Sequence, residues 1–242
     1  MSVDCTQCPL RKLSQFESFT KGELAFMQQF KVGELIVDAG TPILQEGSNT
    51  PQLYTALQGM GLRYKLLENG ARQVVNFVLP GDFIGLQAGV MGEMKHSVEA
   101  VTAMTLCVFD RKGLWGLFKN QPERAYDLTW FASIEEYFLS DAIASIGQMT
   151  AEQRMCWGLL RFHGRCEGLE LNDGDNCPFP FRQTDLADAL GLSPEYTSRV
   201  LSKLRRDMVL DLRDGTLLIL NRPECERRAM HHVDVPETRP LI

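Results

Sequence analysis

A chain of 242 residues with 44% hydrophobic content is long enough for one to two domains, each with a packed core. Its formal net charge of −6 argues against a protein that coats nucleic acid over its whole surface, yet leaves room for a local basic helix on an acidic body. The opening MSVDCTQC lacks the basic and apolar regions of a signal peptide, and no run approaches about 18 apolar residues, so a cytoplasmic protein without a membrane span is expected.

Cys5 and Cys8 stand in a C-x-x-C spacing, which is half of a metal or redox site. The cysteine count of seven is odd in a chain without a secretion signal, which favours reduced thiols, metal ligation or redox sensing over a disulfide framework. Thr20 to Phe30 reads as a short helix: Thr20 caps, Glu23 completes a capping box, and Leu24, Met27 and Phe30 face inward. From Lys31 to Asp110, strands are predicted at 34–37, 43–45, 53–57, 62–67, 72–78, 98–101 and 106–109. Gly-rich turns separate them, and Asn69-Gly70 is the clearest hairpin turn. This spacing implies an antiparallel sandwich or barrel. A loop is expected at 87–95.

A short helix is predicted at 112–120, and Pro122 starts a long one reaching about Gly147. Leu128, Phe131, Ile134, Phe138, Ile143 and Ile146 make it apolar on more than one side, as in a helix that packs on its own domain and on a partner, so a dimerisation helix is expected. Thr150 starts another helix, with Glu152 and Gln153 in its first turn, Met155, Leu159, Leu160 and Phe162 inward and an end near Gly164. Residues 168–180 read as a loop.

Phe181 to Arg206 then reads as two helices joined by a tight turn. The first runs from Gln183 to Leu190, capped by Gln183 or Thr184, with Leu186, Ala187 and Leu190 inward. Gly191 supplies a left-handed residue. Ser193 caps the second helix, Pro194 takes its first position, and Val200, Leu201 and Leu204 form its buried side. Glu195, Ser198, Arg199, Ser202, Lys203, Arg205 and Arg206 occupy the opposite face. This is a helix-turn-helix, whose second helix enters the DNA major groove. Arg199 suits a bidentate pair with guanine and Glu195 suits cytosine N4, while Lys203, Arg205 and Arg206 suit phosphates. Arg182 and Thr184, at the start of the first helix, join the expected DNA-contacting set. Val209–Leu212, Asp214-Gly215 and Leu217–Leu220 form a hairpin, the wing. A short helix and a frayed tail end the chain. No P-loop, G-x-S-x-G, H-E-x-x-H or dinucleotide fingerprint occurs, and His231 and His232 build no site, so an enzyme is not expected.

Gly33-Glu34, Gly40, Ile43, Glu46-Gly47, Leu53-Tyr54 to Gly59, Leu79-Pro80-Gly81-Asp82-Phe83-Ile84-Gly85 and the recognition helix together resemble the Crp/Fnr family of bacterial transcription regulators. The resemblance covers nearly the whole chain. It implies an α+β chain: a cyclic-nucleotide-binding-type β-barrel (jelly roll) sensor at 1–120, a dimerisation helix at 121–148, and a winged helix-turn-helix at 149–242. It also implies a homodimer on palindromic double-stranded DNA, with a contact to RNA polymerase by family analogy. Glu195, Ser198 and Arg199 match the E-x-x-S-R pattern of the Fnr branch, which implies half-sites of the TTGAT type.

Where the Crp branch has Gly-Glu and Arg-Ser to hold cyclic AMP, this chain has Gly85-Leu86 and His96-Ser97. Leucine cannot bind a ribose hydroxyl and the phosphate loses its arginine, so cyclic AMP is not the expected effector, and His96 reads as a surface-loop histidine. In the Fnr branch a [4Fe–4S] cluster sits on four cysteines. Cys5, Cys8 and Cys107 resemble three of these ligands, but Ser14 stands where the remaining cysteine belongs, and serine is a poor ligand for such a cluster. The readings left open are a cluster with another fourth ligand, a Cys5–Cys8 thiol switch, and cysteines without a sensing role. The expectation is therefore regulation by oxygen or redox state through these cysteines. The alternative is a regulator without a cluster that answers an organic effector in the barrel or acts constitutively. Cys156, Cys166, Cys177 and Cys225 have no ligand-like spacing.

Overall fold

The computed structural model describes residues 4–174, 176–230 and 238–242. His231 and His232 lie outside them. The chain divides into two compact units, Met1–Glu136 with Thr238–Ile242, and Tyr137–Glu237. The division falls inside the long helix rather than at its ends.

In the first unit, Thr20 caps α1 (Lys21–Phe30): its hydroxyl accepts from the Glu23 amide while the Glu23 carboxylate accepts from the Thr20 amide. The strands that follow are β1 (Lys31–Val37), β2 (Pro42–Leu44), β3 (Gln52–Gln58), β4 (Gly61–Leu66), β5 (Arg72–Val78) and β6 (Phe83–Ile84), then, after α2 (Leu86–Met91), β7 (Ser97–Ala100) and β8 (Met104–Asp110). They form two antiparallel four-stranded sheets, ordered β1-β8-β3-β6 and β2-β7-β4-β5. The β4–β5 hairpin turns at Asn69-Gly70, where Gly70 has φ 82°. Two elements lie where no local signal predicts them: the two-residue β6, and α2, which takes up the first part of the expected loop at 87–95.

Val37, Tyr54, Val78, Ile84, Val98 and Leu106 fill the space between the sheets. A second cluster covers the outer face of the first sheet. There Leu53, Phe83 and Phe109 meet Met27 and Phe30 of α1, Leu117 of α3 (Leu114–Asn120), and Leu128 and Phe131 of α4 (Pro122–Gln148). β3 is consequently buried on both faces, and every residue from Leu53 to Leu57 is buried, Thr55 included. The core has one consequence for the expected dimerisation residues. Leu128 and Phe131 are enclosed within the protomer, Phe138 is buried against Trp157 with ring centroids 6.3 Å apart, and Ile134 is half-buried. The exposed apolar side chains of α4 are Tyr126, Tyr137, Leu139, Ile143 and Ile146.

In the second unit, Thr150 caps α5 (Ala151–Gly168) through a second capping box with Gln153. The helix continues four residues past Gly164, because Cys166 still packs in the core. β9 (Asn176–Pro178) lies within the expected loop at 168–180. α6 (Gln183–Leu190), α7 (Pro194–Arg206), β10 (Leu210–Arg213), β11 (Thr216–Ile219) and α8 (Arg222–Ala229) complete the unit, with sheet order β10-β11-β9. Phe162, Phe179 and Phe181 pack edge to face at 4.9–5.7 Å and anchor the sheet to α5. The described end of the tail expected to fray is ordered: Arg239, Leu241 and Ile242 are buried in the first unit.

Candidate nucleic-acid interface

Local chemistry fixes the geometry of α6 and α7. The α6 N-cap is Arg182, not Gln183 or Thr184. The Asp185 carboxylate accepts from the Arg182 amide at 2.9 Å and from its guanidinium at 3.1 and 3.2 Å. Asp185 is 1% exposed, so a carboxylate at the third helical position replaces the hydroxyl cap. Arg182 itself remains exposed, as does Thr184. Gly191 turns the chain at φ 63°, and Ser193 accepts from the Tyr196 amide at 3.2 Å to start α7.

Arg154 of α5 was not foreseen as part of this motif. Its guanidinium donates to the carbonyls of Leu190 and Met149, both at 3.0 Å, and reaches Gly191 O at 3.5 Å. A cation thus satisfies the bare carbonyls at the end of α6 and holds the turn at that angle. The Gln183 side chain adds a link between the helices by donating to Pro194 O at 3.3 Å.

Thr197, Val200, Leu201 and Leu204 are buried, and α7 turns Glu195, Ser198, Arg199, Ser202, Arg205 and Arg206 outward. The Arg199 guanidinium lies over the Tyr196 ring at 5.2 Å, a cation–π contact that preorganises it. Hydrogen bonds from its own amide and from the Ser193 hydroxyl, with the nearby Arg199 charge, lower the Glu195 carboxyl below its usual range and keep it an acceptor. Lys203 is exposed but ion-paired with Glu152, and Asp207 is 4.0 Å away. Arg228 of α8 binds the same carboxylates, Asp207 at 2.8 Å and Glu152 at 3.5 Å. In the wing, Asp214 and Gly215 have φ of 52° and 71°, the left-handed pair of a tight hairpin.

The expected metal residues come together in the first unit. Cys5 and Cys8, in and beside a short turn, face Cys107 of β8 across a cavity also lined by Lys31, Leu241 and Ile242. Burial pushes the Cys107 thiol up to about 11 and raises that of Cys5, so both are protonated at neutral pH. The cavity holds about 30 Å³, room for about one water. Among the described residues, no three His, Cys, Asp or Glu side chains are arranged to hold a metal ion. Ser14 at the remaining position leaves the set one thiolate short of the four cysteines on which a [4Fe–4S] cluster sits. His96, expected on a surface loop, is half-buried in the barrel; burial and the charges of Arg63 and Lys65 push it down to about 3. Leu86, at the position that would meet a ribose, packs into the core.

Residues 34–121 match the cyclic nucleotide-binding domain family, and residues 153–228 match the Crp-like helix-turn-helix domain family. The nitrogen fixation regulation protein FixK of Rhizobium meliloti is 32% identical over 190 residues, covering 78% of this chain and 82% of that one. The chain belongs to the Crp/Fnr family. FixK of Bradyrhizobium diazoefficiens is 28% identical over 226 residues, 93% of each chain. The solved structure of FixK2 from Bradyrhizobium japonicum superposes with a TM-score of 0.73 at 26% identity, covering 80% of this chain and 95% of that one. As a Crp/Fnr protein, the chain is a DNA-binding transcription regulator and not an enzyme. No helix among the described residues is long and apolar enough to cross a membrane.

Proposed function

We propose that the protein acts in the cytoplasm as a homodimer on a palindromic operator with TTGAT-type half-sites, and that it responds to oxygen or redox state through Cys5, Cys8 and Cys107. The observation that carries the DNA-reading part is the exposed row Glu195, Ser198 and Arg199 on a helix whose cap, turn and buried side are all in place. In this reading Arg199 pairs with guanine, Glu195 accepts from cytosine N4, and Ser198 adds a contact to a neighbouring base. Arg205 and Arg206 hold phosphates, with Arg182 and Thr184 at the start of α6 and Ser202 on α7 contributing to the backbone contacts. Lys203 reaches a phosphate by exchanging Glu152 for it. Two-fold symmetry places the two copies of α7 in successive major grooves, about one helical turn apart. The dimer contact falls to the exposed apolar residues of α4, Ile143 and Ile146 among them. RNA polymerase is the partner through which bound dimer alters transcription.

Signal input runs through thiols rather than a metal cluster. Oxidation joins Cys5 and Cys8 in a disulfide: the two thiols lose two protons and two electrons to a peroxide, which is reduced to water. Gly85-Leu86 and the half-buried His96 leave no Crp-type clamp for cyclic AMP. The test is operator selection from a random-sequence pool with reduced and peroxide-treated protein. Recovery of TTGAT inverted repeats, with two protomers per site and an affinity that differs between the two preparations, supports the reading. Enrichment of an unrelated motif overturns the operator assignment. Equal affinity of both preparations overturns the redox assignment.

A further inference from the structure

Residues 238–242 are seated in the first unit as a peptide ligand is seated in a receptor. Phe16 and Arg239 pair as neighbouring strand residues: the Arg239 amide donates to Gln15 O at 2.8 Å and the Glu17 amide donates to Arg239 O at 3.0 Å. The Arg239 guanidinium donates to Gly81 O at 2.7 Å and to Asp82 Oδ1 at 2.9 Å. It also faces the rings of Phe16 and Phe131 at 5.5 and 5.7 Å. Asp82 is held in place by the Leu79 amide, which donates to Oδ2 at 2.9 Å. At the other end the Thr55 hydroxyl donates to the main-chain oxygen of Ile242, and Leu241 and Ile242 are each 4% exposed. Backbone pairing, a charged pocket and an apolar pocket are the three parts of strand-type peptide recognition. Leu241 and Ile242 also form part of the wall of the cavity that holds Cys5, Cys8 and Cys107.

We propose that this cleft is a peptide-binding site whose resident ligand is Thr238–Ile242, and that its occupancy closes the thiol cavity. The chemistry it selects is an arginine followed, after one residue, by two aliphatic side chains. Leu241 and Ile242 narrow the access of water to the half-buried Cys107, so vacating the cleft exposes the thiol further and brings it closer to an ordinary one. The peptide site stands independently of the redox reading above; its meaning for signalling rests on that reading.

The probe is a fluorescent peptide, Thr-Arg-Pro-Leu-Ile, added to a chain ending at residue 237. Saturable binding to the truncated chain is expected, with binding to the full chain weaker by on the order of tenfold because the site is already occupied. Asp82→Asn in the truncated chain reduces binding by a similar factor. Alkylation of Cys107, followed by mass spectrometry, should quicken at least about tenfold in the truncated chain and in full-length Arg239→Ala, since thiolate content changes tenfold per pKa unit. Added peptide should slow it again in the truncated chain. Thr55→Val, which removes one hydroxyl from an otherwise intact chain, gives a smaller increase and guards against loss of fold in the truncated form. A truncated chain that melts cooperatively yet binds no peptide overturns the site. Peptide binding with unchanged Cys107 alkylation overturns the closure of the cavity. If both hold while operator affinity ignores oxidation, the redox reading fails and the peptide site stands.

Discussion

Arg154 tests the construction of the DNA-reading motif most sharply. Replacing it with methionine keeps the apolar stem and removes the guanidinium, so two carbonyl contacts at the end of α6 and one to Met149, just before α5, are lost. Hydrogen bonds from a charged donor contribute roughly 1.5–3 kcal/mol each when buried. Arg154 is half-buried, and water replaces part of the loss, so the two bonds at 3.0 Å together are worth about 2 kcal/mol. Guanidinium-chloride unfolding of the full chain should therefore shift by that amount for Arg154→Met. Arg154→Lys should recover about half, since an ammonium cannot span both carbonyls in one plane. Hydrogen exchange would localise the effect to the amides of residues 190–197. Operator affinity should fall alongside, because the turn sets the angle of α7. A destabilisation below about 0.5 kcal/mol with unchanged exchange at the turn would refute the reasoning.

Gly81→Ala should destabilise the barrel by about 2 kcal/mol or more, because φ is 85° and an added Cβ would lie 2.3 Å from the Phe16 ring; thermal melting reads it. His96 is neutral in the folded chain down to about pH 3, whereas the unfolded chain protonates it near pH 6.5. The unfolded state thus binds the extra proton between those values, so stability should fall as pH drops from 6.5 toward 3, and His96→Gln should flatten that part of the curve. Arg206→Ala should weaken binding to all sequences alike and lower the salt slope by about one, measured by fluorescence anisotropy across salt concentrations.

The recognition motif was legible because its signals are local. Ser193, Pro194 and Gly191 act within one turn of where they stand, and Asp214-Gly215 sets the wing in the same way. The capping box at Thr20 and the helix start at Thr150 were readable for the same reason. Features made by distant residues were not. Asp185 is a local exception: it accepts from Arg182 three residues before it, and a preference for Thr or Gln at the cap does not anticipate a carboxylate there. Arg154 reads as an ordinary helix arginine until α6 ends against it. Gly164 resembled a stop, but packing of Cys166 carries the helix through it. The docking of Arg239 on Asp82 spans 157 residues, and no local pattern announces such a contact. Cys5 and Cys8 were picked out by their C-x-x-C spacing, and Cys107 joined them by resemblance to a cluster-binding branch. Their convergence on one cavity, and the size of that cavity, required the fold.

The central claim is that α7 reads DNA through Arg199. The most direct measurement compares wild type with Arg199→Ala on a TTGAT palindrome and on the same palindrome with 7-deazaguanine in each half-site. Wild type should lose about 1–3 kcal/mol per half-site when N7 is removed, Arg199→Ala should lose a similar amount on the natural operator, and the two losses should not add. Additive losses, or an Arg199→Ala variant that binds the natural operator as wild type does, would contradict it.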